Sequence, residues 1–496
     1  MSDVQKQSPL HRTAFSFLAI AVVCAIFADI EITTVNPWTE LGRMALGIVT
    51  PDFLATDDFG MAMLYTLSFA LLGVTFGNII GFGLALVFFS RTVRIGCAFI
   101  RAIHELFWAL LFLQIFGLSP LTGILAIGIP YAGIIAKVYA EILEEGDQAP
   151  LLTLPNSVSR ASAFVFVQLP GAWAHFKTYS MYRLECGLRS SAVLGFVGLP
   201  TLGFHLESAF SQGNYSEAAA LLFAFFAVIA TMRLWMHKRM LPVYLIGAAA
   251  ALPWGLTFTW DNIVRFLTRD IVPYPLRAEG DGDTMAALGD WLHLLLVDQA
   301  LPGTIATIQL TMVALIATGL LTMVMFPLIS PLLLRAKARM LGHLTLVVIR
   351  STPEYILAFV LLQLWGPSML PAIIALALHN GAIIGHLIGR FTETMNLRID
   401  AARGINLYLY EIVPRIYRSI LALLFYRWEV ILRETAILGI LGIATLGYYI
   451  DSAFAELRFD RALILILVTA LLNICVDAIS RSIRAKLRLQ TSLEHT

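Results

Sequence analysis

Charge is what this 496-residue chain has least of. Asp, Glu, Lys and Arg make up 14% of it, where a soluble protein carries roughly a quarter. Hydrophobic residues make up 58%, and the mean hydropathy is +0.80. Together these exclude a soluble globular protein. The net charge of +1 leaves no basic excess for a nucleic-acid partner. Cysteine is scarce too. Cys24, Cys97, Cys186 and Cys475 stand singly in apolar stretches, which reads as buried thiols and not as a disulfide framework or a metal set. No G-x-x-x-x-G-K-[ST] phosphate loop occurs, and neither H-E-x-x-H nor G-x-S-x-G. The chain therefore reads as no enzyme, with no cofactor and no metal of its own. Arg12 before an apolar run looks like a leader peptide, but no small-residue cleavage site follows. An uncleaved first span is expected.

Long apolar runs are what the chain has in excess. A membrane-crossing helix needs ~20 apolar residues. About twelve runs qualify, near 13–32, 62–90, 99–117, 120–142, 175–198, 214–235, 241–260, 302–330, 341–365, 369–391, 417–445 and 461–480. The expected fold is an all-α polytopic membrane protein in contact with lipid. Basic residues set its orientation. Arg91 and Arg94, then Arg233, Lys238 and Arg239, then Arg335, Lys337 and Arg339, then Arg481, Arg484, Lys486 and Arg488 share one side if both termini are cytoplasmic. The acidic stretches Asp52–Asp58 and Glu279–Asp283 fall on the other side.

The chain also repeats itself. Residues 182–210, YRLECGLRSSAVLGFVGLPTLGFHLESAF, pair without a gap with residues 426–454, YRWEVILRETAILGILGIATLGYYIDSAF, and about half the positions are identical. RAIHELFWALLFLQ from Arg101 is answered by RSTPEYILAFVLLQ from Arg350. Two tandem six-helix units are expected, 1–239 and 240–496, each with a lone leading helix, a polar segment and five further spans. A duplicated membrane unit points to a path at the interface of the repeats.

Charge inside a bilayer is costly, so recurrent intramembrane charges are candidate functional residues. Arg101 and Glu105 match Arg350 and Glu354, and a spacing of four sets each pair side by side on one helix. Arg183, Glu185 and Arg189 match Arg427, Glu429 and Arg433. The structural reading is that these groups neutralise one another and clamp the helices. The functional reading is that some arginines line a path for an anion. Gly195, Gly198 and Gly203, matched by Gly439, Gly442 and Gly447, read as close helix packing or as hinges. Two positions break the symmetry. His104 stands where the second unit has Pro353, and Pro130 stands where it has His379, which Asn380 follows. Each histidine reads as a packing residue or as a proton or substrate contact.

R-A-I-x-E-L-x-W-A-L, Y-A-G-I-I-A-K-V-Y-A-E at 131–141 and Y-R-x-E-x-x-x-R-x-x-x-V-L-G-F-V-G, in that order and echoed in the second half, closely resemble the phosphonate-type permease subunit of ABC importers. The resemblance covers roughly 60–235 and 300–485. It implies the ABC importer permease fold, here as two units fused in one chain, in a bacterial inner membrane. It implies two separate ATP-binding subunits that carry the ATP and Mg, an extracytoplasmic substrate-binding protein, and a phosphonate or related phosphorus oxyanion as cargo. The family's cytoplasmic coupling loop reads E-A-A-x-x-x-G with a proline about a dozen residues on. Before Pro170 the first unit has only LLTLPNSVS, with Leu152 and Ser157. Before Pro414 the second has Asp400, Ala401, Ala402, Arg403 and Gly404, with the glycine early. The segments 144–170 and 393–414 are nevertheless the expected ATPase docking sites. The alternative is an ion-coupled secondary transporter with two six-helix halves.

Overall fold

The computed structural model describes residues 9–34, 36–146, 149–155, 157–255, 259–277, 284–398 and 400–487. The stretch Glu279–Asp283 and Arg488 lie outside them. Among the described residues every regular element is helical. The main helices of the first repeat are α1 (Pro9–Phe27), α2 (Pro37–Val49), α3 (Phe59–Leu86), α4 (Arg91–Ala102), α5 (Glu105–Phe116), α6 (Pro120–Glu145), α7 (Leu169–Val193), α8 (Leu202–Ser211) and α9 (Tyr215–Trp235). Those of the second are α10 (Leu241–Ala251), α11 (Leu301–Met325), α12 (Ala336–Ser351), α13 (Glu354–Trp365), α14 (Met369–Phe391), α15 (Val413–Ile440), α16 (Leu446–Ala455) and α17 (Phe459–Lys486). By length and composition seven helices can cross a membrane, and ten spans result if each of three bent pairs counts as one. The twelve expected from the sequence include in addition α15, which carries the second charge cluster, and the short apolar α10.

The chain packs as two compact units, residues 43–270 and residues 1–42 with 271–496. The leading helices are thereby exchanged. α1, from the first repeat, packs on α11. Its Phe17 ring meets Phe425 at 5.0 Å and Trp428 at 5.2 Å, both edge-on. The strand of chain behind it is pinned to the turn before α14: the Met369 N–H donates to the Asp29 carbonyl (2.8 Å) and the Ser368 hydroxyl to the Glu31 carbonyl (2.7 Å). Conversely α10, from the second repeat, packs on α3. The boundary at 239/240 describes the sequence repeat; the packing units exchange one helix across it.

Each bundle is built on one close pair, α3 with α6 and α11 with α14. Without an apolar driving force between helices in lipid, small residues that let backbones approach supply the attraction. In the first bundle they are Gly73, Gly77 and Gly81 on α3; a Cβ added at Gly77 would lie 2.9 Å from the Cβ of Tyr131. Gly123 and Gly128 on α6 face α3 in turn, and in the second bundle the close contacts fall at Gly381, Gly385 and Gly389 on α14. There α11 presents Thr318 and Thr322 instead, whose hydroxyls donate to the carbonyls of Ala314 (2.7 Å) and Thr318 (2.8 Å).

The aligned 29-residue segment folds alike in both copies. α7 and α15 each end in a break before a short helix, α8 or α16. Gly198 and Gly442 both take φ +89°, a left-handed backbone that favours glycine. The short helices start from a shared anchor: the Leu202 N–H donates to the Thr66 hydroxyl (2.8 Å) and the Leu446 N–H to the Thr307 hydroxyl (3.0 Å). Cβ atoms added at Gly203 or Gly447 would fall 1.8 or 2.1 Å from the carbonyl oxygens of Ala192 or Ala436. Close packing is therefore what these two glycines provide.

One expectation is overturned. The spans near 99–117 and 341–365 are not continuous helices, so the spacing of four does not set Arg101 beside Glu105 or Arg350 beside Glu354 on one helix. The chain bends by 91° between α4 and α5 and by 92° between α12 and α13. His104 makes the first bend: its Nδ1 accepts from the Leu106 N–H (3.2 Å) and caps α5. Pro353 makes the second. It has no N–H to extend α12, and it holds the preceding Thr352 extended. Two twelve-residue pieces add up to the apolar length of one span, which is why composition alone joins them.

Candidate functional site

In the first bundle the bend places Glu105 as the first residue of α5, where a carboxylate is favoured by the helix dipole. Ser190 of α7 donates to Glu105 Oε1 (2.8 Å) and meets the Tyr131 hydroxyl of α6 at 3.1 Å. His104 Nε2 lies 3.9 Å from Glu105 Oε2. The Nδ1 of His104 accepts from backbone, so the neutral ring carries its hydrogen on Nε2, toward the carboxylate. About two turns from Ser190 on α7, Arg183 donates through Nε to the Tyr179 hydroxyl (2.7 Å). Its guanidinium lies over the rings of Tyr179 (5.0 Å), Tyr182 (5.5 Å) and Tyr131 (5.7 Å). Aromatic faces hold this cation through their quadrupoles. Arg189 Nη2 reaches Cys186 Sγ at 3.4 Å.

In the second bundle Glu354 opens α13 in the same way. Its histidine comes from elsewhere. His379, on α14, brings Nε2 to 3.8 Å from Glu354 Oε2. His379 Nδ1 lies 2.9 Å from the Thr352 carbonyl. A carbonyl oxygen only accepts, so Nδ1 carries hydrogen and the neutral ring turns its Nε2 lone pair toward the carboxylates. Next to it, Asn380 donates to Glu434 Oε2 (2.9 Å) and to the Leu376 carbonyl (3.1 Å). Asn380 Oδ1 accepts from Arg427 Nη1 (3.3 Å). Glu354, His379 and Glu434 bring their ligand atoms within 4.8 Å of one another.

The structure thus gathers Glu105 and His104 in one cluster, with Arg183 joined to it over the Tyr131 ring, and Glu354, His379, Asn380 and Arg427 in another. Arg101 and Arg350 end the helices before the bends, half-buried. Glu185, Glu429 and Arg433 are half-buried on α7 and α15. Sequence reasoning missed Glu434, Ser190, Tyr131 and Thr352. Glu434 had a signal: within the aligned repeat it replaces Ser190 and adds a carboxylate where the first copy has a hydroxyl.

At the other end of α9, a cavity of about 500 Å³ opens among Arg43, Asp52, Asn214, Tyr215 and Glu217. The corresponding place on α17 is closed. Asp460 is buried, bonded to Arg458 (3.2 Å) and to the Tyr274 N–H (3.1 Å), with Arg277 at 3.7 Å. In the expected coupling segments, Ser157, Pro170, Asp400, Ala402, Gly404 and Pro414 are exposed and Ala401 is half-buried; of Leu152 only the backbone is described. Tyr408 ties the second segment to α11: its hydroxyl donates to the Met323 carbonyl (3.0 Å) and its ring stacks on Phe326 (5.5 Å).

Residues 323–489 match the family described as binding-protein-dependent transport system inner membrane component. A phosphate-import permease protein, PhnE, of Mycolicibacterium smegmatis is 25% identical over 472 residues, covering 86% of this chain and 85% of the relative. A phosphite transport system permease protein, PtxC, of Stutzerimonas stutzeri is 26% identical over 233 residues, covering 44% of this chain and 84% of the relative. No solved structure matches the chain. One relative thus spans both repeats and the other is used up by one. The chain is thus similar, over both of its repeats, to a permease of this transport class.

Proposed function

We propose that this chain is the transmembrane subunit of an ATP-driven importer for a phosphonate or a related phosphorus oxyanion. Access would alternate at the interface of the two repeats. Two ATP-binding subunits would supply ATP and Mg, and an extracytoplasmic binding protein would deliver the cargo. The membrane is a bacterial inner membrane with both termini cytoplasmic. The observation that carries this reading is the alignment with an import permease across both repeats. The duplicated break at Gly198 and Gly442 supports it, because both copies keep one backbone plan. Segments 144–170 and 393–414 are the proposed ATPase contacts; their exposed residues leave a surface for a partner.

The test is reconstitution in liposomes with the ATPase and binding-protein subunits. Uptake of phosphonate, phosphite or phosphate should require ATP and both partners. Uptake by the chain alone on an ion gradient overturns the reading in favour of a secondary transporter. Single cysteines at Ser157 and Arg403 should crosslink to the ATPase, and reaction only from the opposite membrane face overturns the orientation.

A further inference from the structure

His379 turns its Nε2 lone pair toward two carboxylates, and among the described residues these three side chains form a group whose geometry suits a cation. We propose that Glu354, His379 and Glu434 bind one divalent transition-metal ion of the zinc class inside the second bundle. The donors come from three helices, α13, α14 and α15, and their ligand atoms lie within 4.8 Å of one another. His379 and Glu434 are buried and Glu354 is half-buried. Bonds of ~2.0–2.2 Å require these atoms to draw in by roughly an ångström, a matter of small side-chain rotations.

Three features fit a ligand set better than a simple ion-pair network. First, the Thr352 carbonyl takes the Nδ1 hydrogen at 2.9 Å and aims Nε2 inward; metal-bound histidines are oriented by such a partner on the other nitrogen. Second, the His379 Nε2 to Glu354 distance, 3.8 Å, is too long for a hydrogen bond and suits two ligands of one ion. Third, Glu434 is oriented by the Asn380 amide at 2.9 Å, and that amide stands between Glu434 and the Arg427 guanidinium it also binds. A dication between the two carboxylates attracts both. Mixed nitrogen and oxygen donors suit zinc over calcium or magnesium, which take oxygen alone.

The first bundle provides a control within the same chain. Ser190 stands at the place of Glu434 and Pro130 at the place of His379, and His104 faces Glu105 with its N–H side. The duplicated chain should therefore bind one ion, not two. The inference concerns occupancy of a site, so it stands or falls independently of whether the cargo is an oxyanion.

The experiment uses the full-length chain purified with its ATPase partners, stripped with chelator and titrated with Zn²⁺ by calorimetry and with Co²⁺ by visible absorption. One ion per chain is expected, with affinity at least tenfold weaker in His379→Gln and Glu434→Ser and unchanged in Glu105→Gln. Zn²⁺ should also raise the unfolding temperature of the unmodified chain. Absence of stoichiometric uptake by the unmodified chain overturns the proposal whatever the variants do. So do two ions per chain, undiminished binding by a folded Glu434→Ser, or equal loss in Glu105→Gln.

Discussion

Glu105 and Glu354 hold the same place in the two bundles, each the first residue of the helix after a right-angled bend. Each faces an imidazole nitrogen, at 3.9 and 3.8 Å. Yet His104 precedes its glutamate in the chain, and His379 reaches across from α14. The bends themselves use different means, an imidazole cap in one copy and a proline in the other. The central helix pairs differ as well: α3 has Gly73, Gly77 and Gly81 in close contact, where α11 presents Thr318 and Thr322. What the repeats conserve is an arrangement in space: a bend, a carboxylate, an imidazole, a tight helix crossing. Which residue supplies each part is free to drift, provided its partner drifts with it. Around this common frame the second bundle has one more carboxylate, Glu434 for Ser190, and an amide, Asn380, for Tyr131.

The comparison is most exposed at the ends of α9 and α17, where the largest difference is expected. Asp460 is buried between Arg458 and Arg277, while Ser216 at the matching place borders an open cavity and meets the Thr50 hydroxyl at 3.2 Å with its own. Breaking a buried ion pair from one side costs ~3–5 kcal/mol, because the remaining charge is uncompensated. Asp460→Asn should lower the unfolding free energy by an amount of that order, and Ser216→Ala by under about 1 kcal/mol, both read as falls in melting temperature. Equal effects in a melting experiment would mean that the two ends are not distinguished by the ion pair.

The arginines come next. Arg427→Ala removes the donor to Asn380, which itself holds Glu434; about 3 kcal/mol is expected from the exposed network. Arg183→Ala loses contacts to tyrosine rings and one hydroxyl, about 2 kcal/mol for a desolvated cation. Glu434→Gln should offset part of the Arg427→Ala loss and none of the Arg183→Ala loss, read from the yield of monodisperse protein and its melting point. Rescue of both by the one change would show that the two arginines share a partner.

The helical class, the duplication and the glycine-rich break were legible because each is a pattern along the chain: apolar length, aligned text, paired glycines. The charged residues were legible as residues, since Arg and Glu are rare in such runs. Their partners were not. Asn380 stood out in the sequence, but its contact with Glu434 and that of His379 with Thr352 join separate elements that no spacing rule connects. The bends at His104 and Pro353 hid inside apolar runs of the right total length, so the expected i,i+4 helical geometry does not hold there. The exchange of α1 and α10 was invisible for the same reason: each looks like the start of its own repeat, and only packing shows on which bundle it rests.

The smallest effect sharpens the comparison at the carboxylates. His104 accepts from the Leu106 N–H through Nδ1, which is what an N-cap side chain does, and asparagine is among the best caps. His104→Asn should therefore keep the cap and cost a few tenths of a kcal/mol, whereas His104→Ala should cost about 1. His379 uses the same ring nitrogen in the opposite sense, as a donor to Thr352. His379→Asn retains a donor at that place but removes everything beyond it toward Glu354. If capping is the role of the first histidine and reaching the carboxylate that of the second, the asparagine variants should differ: His104→Asn near the unmodified chain in melting point and transport, His379→Asn stable but impaired in transport. A His104→Asn chain as impaired as His104→Ala would show that the Nε2 side facing Glu105 is what matters, and that the two imidazoles do the same work from different helices.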